Sequence, residues 1–190
     1  MNLTATHIVP LLAGTVLAAC GGGNPPSVEN PPTTSGQKLS FIYFQKCINP
    51  VFLAPLKIDQ GGVISTNTCA SGGCHDTTTG TGCALRLVQS DDEVDVSQAA
   101  ELIRATDMYK NFYSAQGAAV IGAATQSRLL NKPLLQGVLH GGGLIFETAA
   151  DPNAKLISYW INHPSPEGQD EFSSAGNGLF DPATGACKTE

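Results

Sequence analysis

The segment Cys69-Ala70-Ser71-Gly72-Gly73-Cys74-His75 constrains this chain more than any other. Two thiols close in sequence, with a histidine directly after the second, have few chemical uses. The thiols can bond the two vinyl groups of a haem while the histidine turns a ring nitrogen toward its iron. The usual spacing for that chemistry is C-x-x-C-H. Here four residues separate the cysteines, and Gly72-Gly73 supplies the backbone freedom to absorb the extra length. Two other uses compete: a structural Cys69–Cys74 disulfide, and a zinc site made by Cys69, Cys74, His75 and a fourth ligand. In an oxidising compartment isolated thiols tend to oxidise, which weighs against zinc.

The N-terminal residues bear on the compartment. Residues 8–17 form an apolar run too short to span a bilayer, and the small residues Ala18 and Ala19 follow before Cys20. The stretch Leu17-Ala18-Ala19-Cys20 resembles the lipobox of bacterial lipoproteins. That resemblance implies a signal peptide over 1–19, acylation of Cys20, and an anchor on the periplasmic side of the envelope, the outer membrane favoured because residue 21 is Gly rather than Asp. Residues 1–7 carry no Lys or Arg, so the start of translation is expected further upstream. Residues 20–38 are rich in Pro, Gly and polar side chains and read as a disordered tether. The folded domain is expected over 39–190.

Only 14% of the 190 residues are charged, and 21 Gly with 12 Pro point to short helices and long loops. The net charge of −6 excludes a basic stripe for nucleic acid and favours positively charged partner surfaces. The acidic run around Asp91 to Asp95 reads as a solvated loop, or a docking face for a basic redox partner. Nothing in the chain sets a nucleophile for hydrolysis.

Helical spacing of Phe41, Phe44, Ile48 and Val51 predicts a helix over 40–52, interrupted near Pro50. Ser97 is a plausible cap for a helix over 98–111. A short helix is expected over 126–131, stopped before Pro133. Asp151 with Pro152 opens a last helix that Pro164 ends. Residues 53–68 show the turn signal Gly61-Gly62 but no convincing strand. The expected class is all-α, a small helical domain with long loops around one covalently bound haem.

Six cysteines have separate fates. With Cys20 assigned to lipid and Cys69 and Cys74 to the motif, Cys47, Cys83 and Cys187 remain. A Cys47–Cys187 bridge would pin the C-terminal tail and is preferred, with Cys47–Cys83 the alternative. For the far side of the iron the domain offers Met108, His140 and His163. His140 lies in Leu139-His140-Gly141-Gly142-Gly143, where backbone can pass close to a flat group. Met108 falls within a predicted helix and reads as core packing. His163 stands at a helix C-terminus, where it can meet the helix dipole. His140 is the favoured second ligand, Met108 the alternative, and an open position the third case.

With these residues in hand, the chain resembles single-haem cytochrome c-like domains, of the kind common in planctomycetes. The shared pattern is a helix ahead of the haem motif, then Ser-Arg-Leu-Leu-Asn-Lys-Pro-Leu at 127–134, then the His-Gly-Gly-Gly run at 140–143. It closes on Leu-Ile-Ser-Tyr-Trp-Ile at 156–161. The resemblance covers about residues 39–163. It departs in the cysteine spacing, in Cys83 and in the cysteine-bearing tail. Such domains place the distal ligand shortly before a C-terminal helix, so His140 would stand where others carry methionine. The resemblance implies haem c as the one cofactor, redox proteins as partners, and an electron carrier rather than an enzyme. An open sixth position would instead imply a small-ligand sensor or a peroxidase. A haem-free envelope lipoprotein is the remaining case.

Overall fold

The computed structural model describes residues 36–80 and 84–190. The expected leader, Cys20, the tether up to residue 35 and Cys83 lie outside the described residues.

The N-terminal helical stretch is built in three parts. Ser40 caps α1 (Phe41–Tyr43) by accepting from the Tyr43 amide at 3.3 Å. A π-helical stretch, Phe44–Ile48, follows, and α2 (Asn49–Leu53) completes it with Pro50 in its first turn. Pro50 has no N–H to donate, and its ring crowds the carbonyl four residues back. The widened stretch lies directly ahead of that proline, and Cys47 sits within it.

The chain then forms an antiparallel hairpin, β1 (Leu56–Gln60) with β2 (Val63–Asn67), in the register Leu56 opposite Asn67 and Gln60 opposite Val63. Gly61 and Gly62 make the two-residue turn at φ 67° and 94°. Positive φ at both positions is what the tightest hairpin turn demands. The all-α expectation is therefore corrected: the fold is mixed, helices with one two-stranded sheet. Apolar alternation failed to reveal the strands because the hairpin buries almost nothing. Ile58 is its one buried side chain, and β2 is exposed throughout. Main-chain pairing holds it instead, including the exchange of both hydrogen bonds between Asp59 and Leu144 at 2.8 and 2.9 Å.

The helix expected over 98–111 is two helices, α3 (Ala100–Arg104) and α4 (Asp107–Gly117). Thr106 separates them. Its hydroxyl donates to the Ile103 carbonyl and accepts from the Tyr109 amide, so it closes one helix and caps the next. A 3₁₀ turn, Ala124–Gln126, leads into α5 (Arg128–Asn131). In α6 (Pro152–Asn162) Asp151 accepts from the amides of Asn153 and Ala154, with Pro152 at the first helical position.

These helices meet around Phe41, Phe44, Phe112 and Trp160, all fully buried. Phe44 packs against Phe112 and Trp160 with ring centres 5.5 and 5.4 Å apart. Each such side chain contributes about 1.5–3 kcal/mol on burial. The Trp160 indole N–H donates to the Ser40 carbonyl at 2.9 Å, tying α6 to the start of α1. Met108 is buried in this core. The tail beyond α6 folds back over α1, and a Cys47–Cys187 disulfide fastens it, with Cα atoms 6.1 Å apart.

Candidate functional site

Cys69 to His75 follow the hairpin as a compact loop. The Ala70 amide donates to the Phe52 carbonyl at 3.2 Å, which anchors the loop to α2. The Cys74 amide donates to Ser71, and the His75 amide to the Cys69 carbonyl at 3.0 Å, so the chain coils back and sets the histidine beside the first cysteine. Both thiols are free. Burial, and then the neighbouring Cys74, push the Cys69 thiol up to about 11, so it stays protonated at neutral pH. The Asn67 amide nitrogen lies 3.8 Å from the Cys74 sulfur, linking the end of β2 to the motif.

Beyond His75 the loop closes on two residues that its sequence did not mark. The Asp76 carboxylate accepts from the amides of Thr78 and Thr79. Those bonds hold it below the usual carboxylate range, the Thr79 amide foremost. Arg86 donates to the carbonyls of Asp76 and Gly80. Both roles arise only when the loop has folded, so no spacing in the sequence could have flagged them.

His75 and His140 are brought close to one another. Their ring centres are 6.1 Å apart and their planes differ by 13°. His75 Nδ1 lies 3.1 Å from the Leu85 carbonyl and His140 Nδ1 lies 2.8 Å from the Gly143 carbonyl. A carbonyl only accepts, so each Nδ1 carries the proton and each Nε2 keeps a free lone pair. Both rings are half-buried. Burial is the main cause holding both below the ordinary histidine value, against the raising effect of those carbonyls. Two neutral imidazoles with free Nε2 atoms result.

The His140 turn is positioned by β1. Gly143 has φ 81°, and a Cβ there would collide with the Asp59 carbonyl. Only glycine permits that approach. Gln60 adds a hydrogen bond to the Gly141 carbonyl at 3.2 Å. The hairpin that the sequence left unread thus reaches from the cysteine motif at one end to the His140 turn at the other. Large apolar side chains stand exposed beside it: Leu139 at 90%, next to His140, and Val63 at 67% on β2.

The other candidates are placed elsewhere. Met108 belongs to the core. His163 ends α6, with its ring stacked on Tyr159 at 3.9 Å and Nδ1 2.8 Å from the Tyr159 carbonyl. The acidic run is exposed, with Glu93 paired to Lys46 at 3.4 Å and Val94 held by both ends of the Gln45 amide. A surface cavity of about 420 Å³ between β1 and residues 144–153 includes neither histidine of the pair.

These residues can be tested against the cofactor that the motif implies. Two imidazoles bound to opposite sides of one ion, each through a bond of about 2.0 Å, stand with ring centres roughly 6 Å apart. The observed separation, the near-parallel planes and the orientation of both Nδ1 atoms fit one iron between His75 and His140. Two free thiols stand in the same loop as His75. Among the described residues no three His, Cys, Asp or Glu side chains converge as an ion cage. No protein-family model, curated protein or solved structure matches the chain.

Proposed function

We propose that this chain is a single-haem electron carrier of the bacterial envelope, with His75 and His140 as iron ligands and Cys69 and Cys74 as the covalent attachment. The observation that carries this reading is the pair of near-parallel imidazoles 6.1 Å apart, each fixed through Nδ1 with Nε2 left for a ligand bond. When bound, the haem supplies a one-electron Fe(III)/Fe(II) couple.

The chain's own residues do the rest. Cys69 and Cys74 hold the group through thioethers. Each thiol would add across one vinyl group, sulfur to one carbon and hydrogen to the other, so no oxidant or reductant would be consumed. The Leu85 and Gly143 carbonyls keep both histidines in one tautomer and raise their basicity as ligands. Leu139 and the exposed face of β2 offer apolar cover. Two protein ligands leave no position for a substrate, which favours a carrier over an enzyme. A histidine in place of methionine removes a ligand that raises the potential, so the potential is set below that of His/Met cytochromes. An acylated Cys20 and its tether would keep the domain near a membrane while it reaches a redox protein, preferentially one with a basic face.

The test is the full chain expressed with a haem-maturation system. We expect haem that survives denaturing electrophoresis, and a reduced protein that does not bind carbon monoxide. His140→Ala should bind carbon monoxide rapidly and change its spectrum. An unchanged His140→Ala spectrum overturns the ligand assignment, and rapid binding by the unsubstituted protein indicates an open sixth position. A colourless chain leaves only the haem-free lipoprotein.

A further inference from the structure

The hairpin has one paired edge and one open edge. Asp59 exchanges both of its main-chain hydrogen bonds with Leu144, on the side of β1 away from β2. Opposite Asp59 in the register stands Ile64, and opposite Lys57 stands Thr66. In an antiparallel ladder, directly opposed residues either bond to each other or both turn their groups away. The N–H and C=O groups of Ile64 and Thr66 therefore point out of the far edge of β2. Among the described residues no loop, helix or further strand pairs with them. The strand, Val63-Ile64-Ser65-Thr66-Asn67, is exposed throughout, with Ile64 at 53%. Natural edges are commonly guarded by Lys, Pro, a bulge or an inward charge. β2 has none of these.

We infer that the open edge of β2 is a contact surface for a second copy of this chain, the two β2 strands pairing antiparallel across a two-fold axis at Ser65. Self-complementarity selects that partner. With Ser65 opposite Ser65, Ile64 of each copy meets Thr66 of the other. Those are the residues whose groups point outward, so each copy donates two hydrogen bonds and accepts two, with none left over. Charge agrees. At a net charge of −6 two copies repel over most of their surfaces, yet β2 carries no charged side chain. Lys57 stands beside Thr66 and Asp59 beside Ile64 on one face of the sheet. The two-fold axis sets Lys57 of each copy in the same cross-strand row as Asp59 of the other and keeps like charges in different rows. The opposite face holds Gln60 and Asn67, which reach the His140 turn and Cys74, so pairing at the edge leaves the candidate site open. The inference does not depend on the haem reading. A single strand pair buries less than the roughly 1,000 Å² of a stable interface, so the dimer is weak and reversible.

The experiment is sedimentation of the full chain, with hydrogen exchange of its amides, at concentrations rising to about 1 mM. We expect a reversible monomer–dimer equilibrium. Exchange at the Ile64 and Thr66 amides should slow with concentration more than at Val63 and Ser65, whose amides already bond to β1. Thr66→Pro removes an outward N–H from each copy and leaves the ladder to β1 intact. It should raise the dissociation constant about tenfold or more. Ile64→Lys adds the missing edge charge and should do the same, so the test does not hang on the proline variant folding. Leu102→Lys is the control, because Leu102 is 60% exposed and lies outside the hairpin, and the constant should not change. A chain that sediments as a monomer throughout, a dimer that survives either folded β2 variant, or equal weakening by Leu102→Lys overturns the inference.

Discussion

Asn111 fixes the segment that trails the Cys-His loop. Its amide nitrogen donates to Asn49 Oδ1 at 2.9 Å and to the Val88 carbonyl at 2.8 Å, and its oxygen accepts from the Val88 amide at 2.7 Å. Asn49 in turn donates to the Ser90 carbonyl at 2.9 Å. Both asparagines are buried, so every one of these groups needs its partner. Asn111→Ala would strand the Val88 amide and carbonyl and Asn49 Oδ1 together. We expect a loss of about 2–4 kcal/mol in denaturant unfolding, and a loss below about 1 kcal/mol would show that water replaces the network. At this scale the site was legible where its signal is local. The thiols with His75, and His140 with its glycines, can be picked out within a few residues of each other in sequence. Asn111 and Arg86 could not, because each acts on groups brought close only by the tertiary fold. Asn111 read merely as the end of a helix.

Among the elements, the hairpin matters most to the site, because Asn67 touches the cysteine motif while Asp59 and Gln60 hold the His140 turn. Its turn can be weakened without touching either histidine. Gly61→Ala with Gly62→Ala forces two side chains into positive φ, at about 1–2 kcal/mol each. Hydrogen exchange at the Asp59 and Leu144 amides should quicken, while amides within α6 keep their protection. Equal acceleration everywhere would mean that the hairpin and helices open as one unit. Legibility follows burial here. The last helix was readable because Asp151 and Pro152 mark its start and Ile157, Trp160 and Ile161 bury one face. The hairpin's second strand has no buried face, so periodicity carried no signal and only the Gly61-Gly62 turn spoke for it. The split between α3 and α4 was hidden for another reason: Thr106 looks like an ordinary helix residue until its hydroxyl is seen bonding in both directions.

In the molecule as a whole, the C-terminal tail acts as a strap across α1 and α4. The Cys47–Cys187 bridge closes it covalently at one end. At the other, the Glu171 carbonyl accepts from the Phe41 amide, and its carboxylate accepts from Arg104 Nε and Nη2 and from the Tyr109 hydroxyl at 3.1, 2.9 and 2.7 Å. Burial would raise this carboxyl, but its own backbone amide, the Tyr109 hydroxyl and Arg104 outweigh that and hold it below its ordinary value of 4.5. The sign of the pH effect follows. A carboxyl depressed in the folded state binds its proton more readily when unfolded. Its stabilisation is therefore complete above the unfolded value and disappears as pH falls through the folded one. Glu171→Gln keeps the shape and one acceptor oxygen but has no charge to titrate. We expect the unsubstituted protein to be the more stable at pH 7, and the two stability curves to converge as pH falls below 4.5. Thermal unfolding from pH 7 to 3, with the disulfide intact, measures the difference. A gap that stays constant over that range would mean that the strap is held by its hydrogen-bond geometry and not by the charge on Glu171.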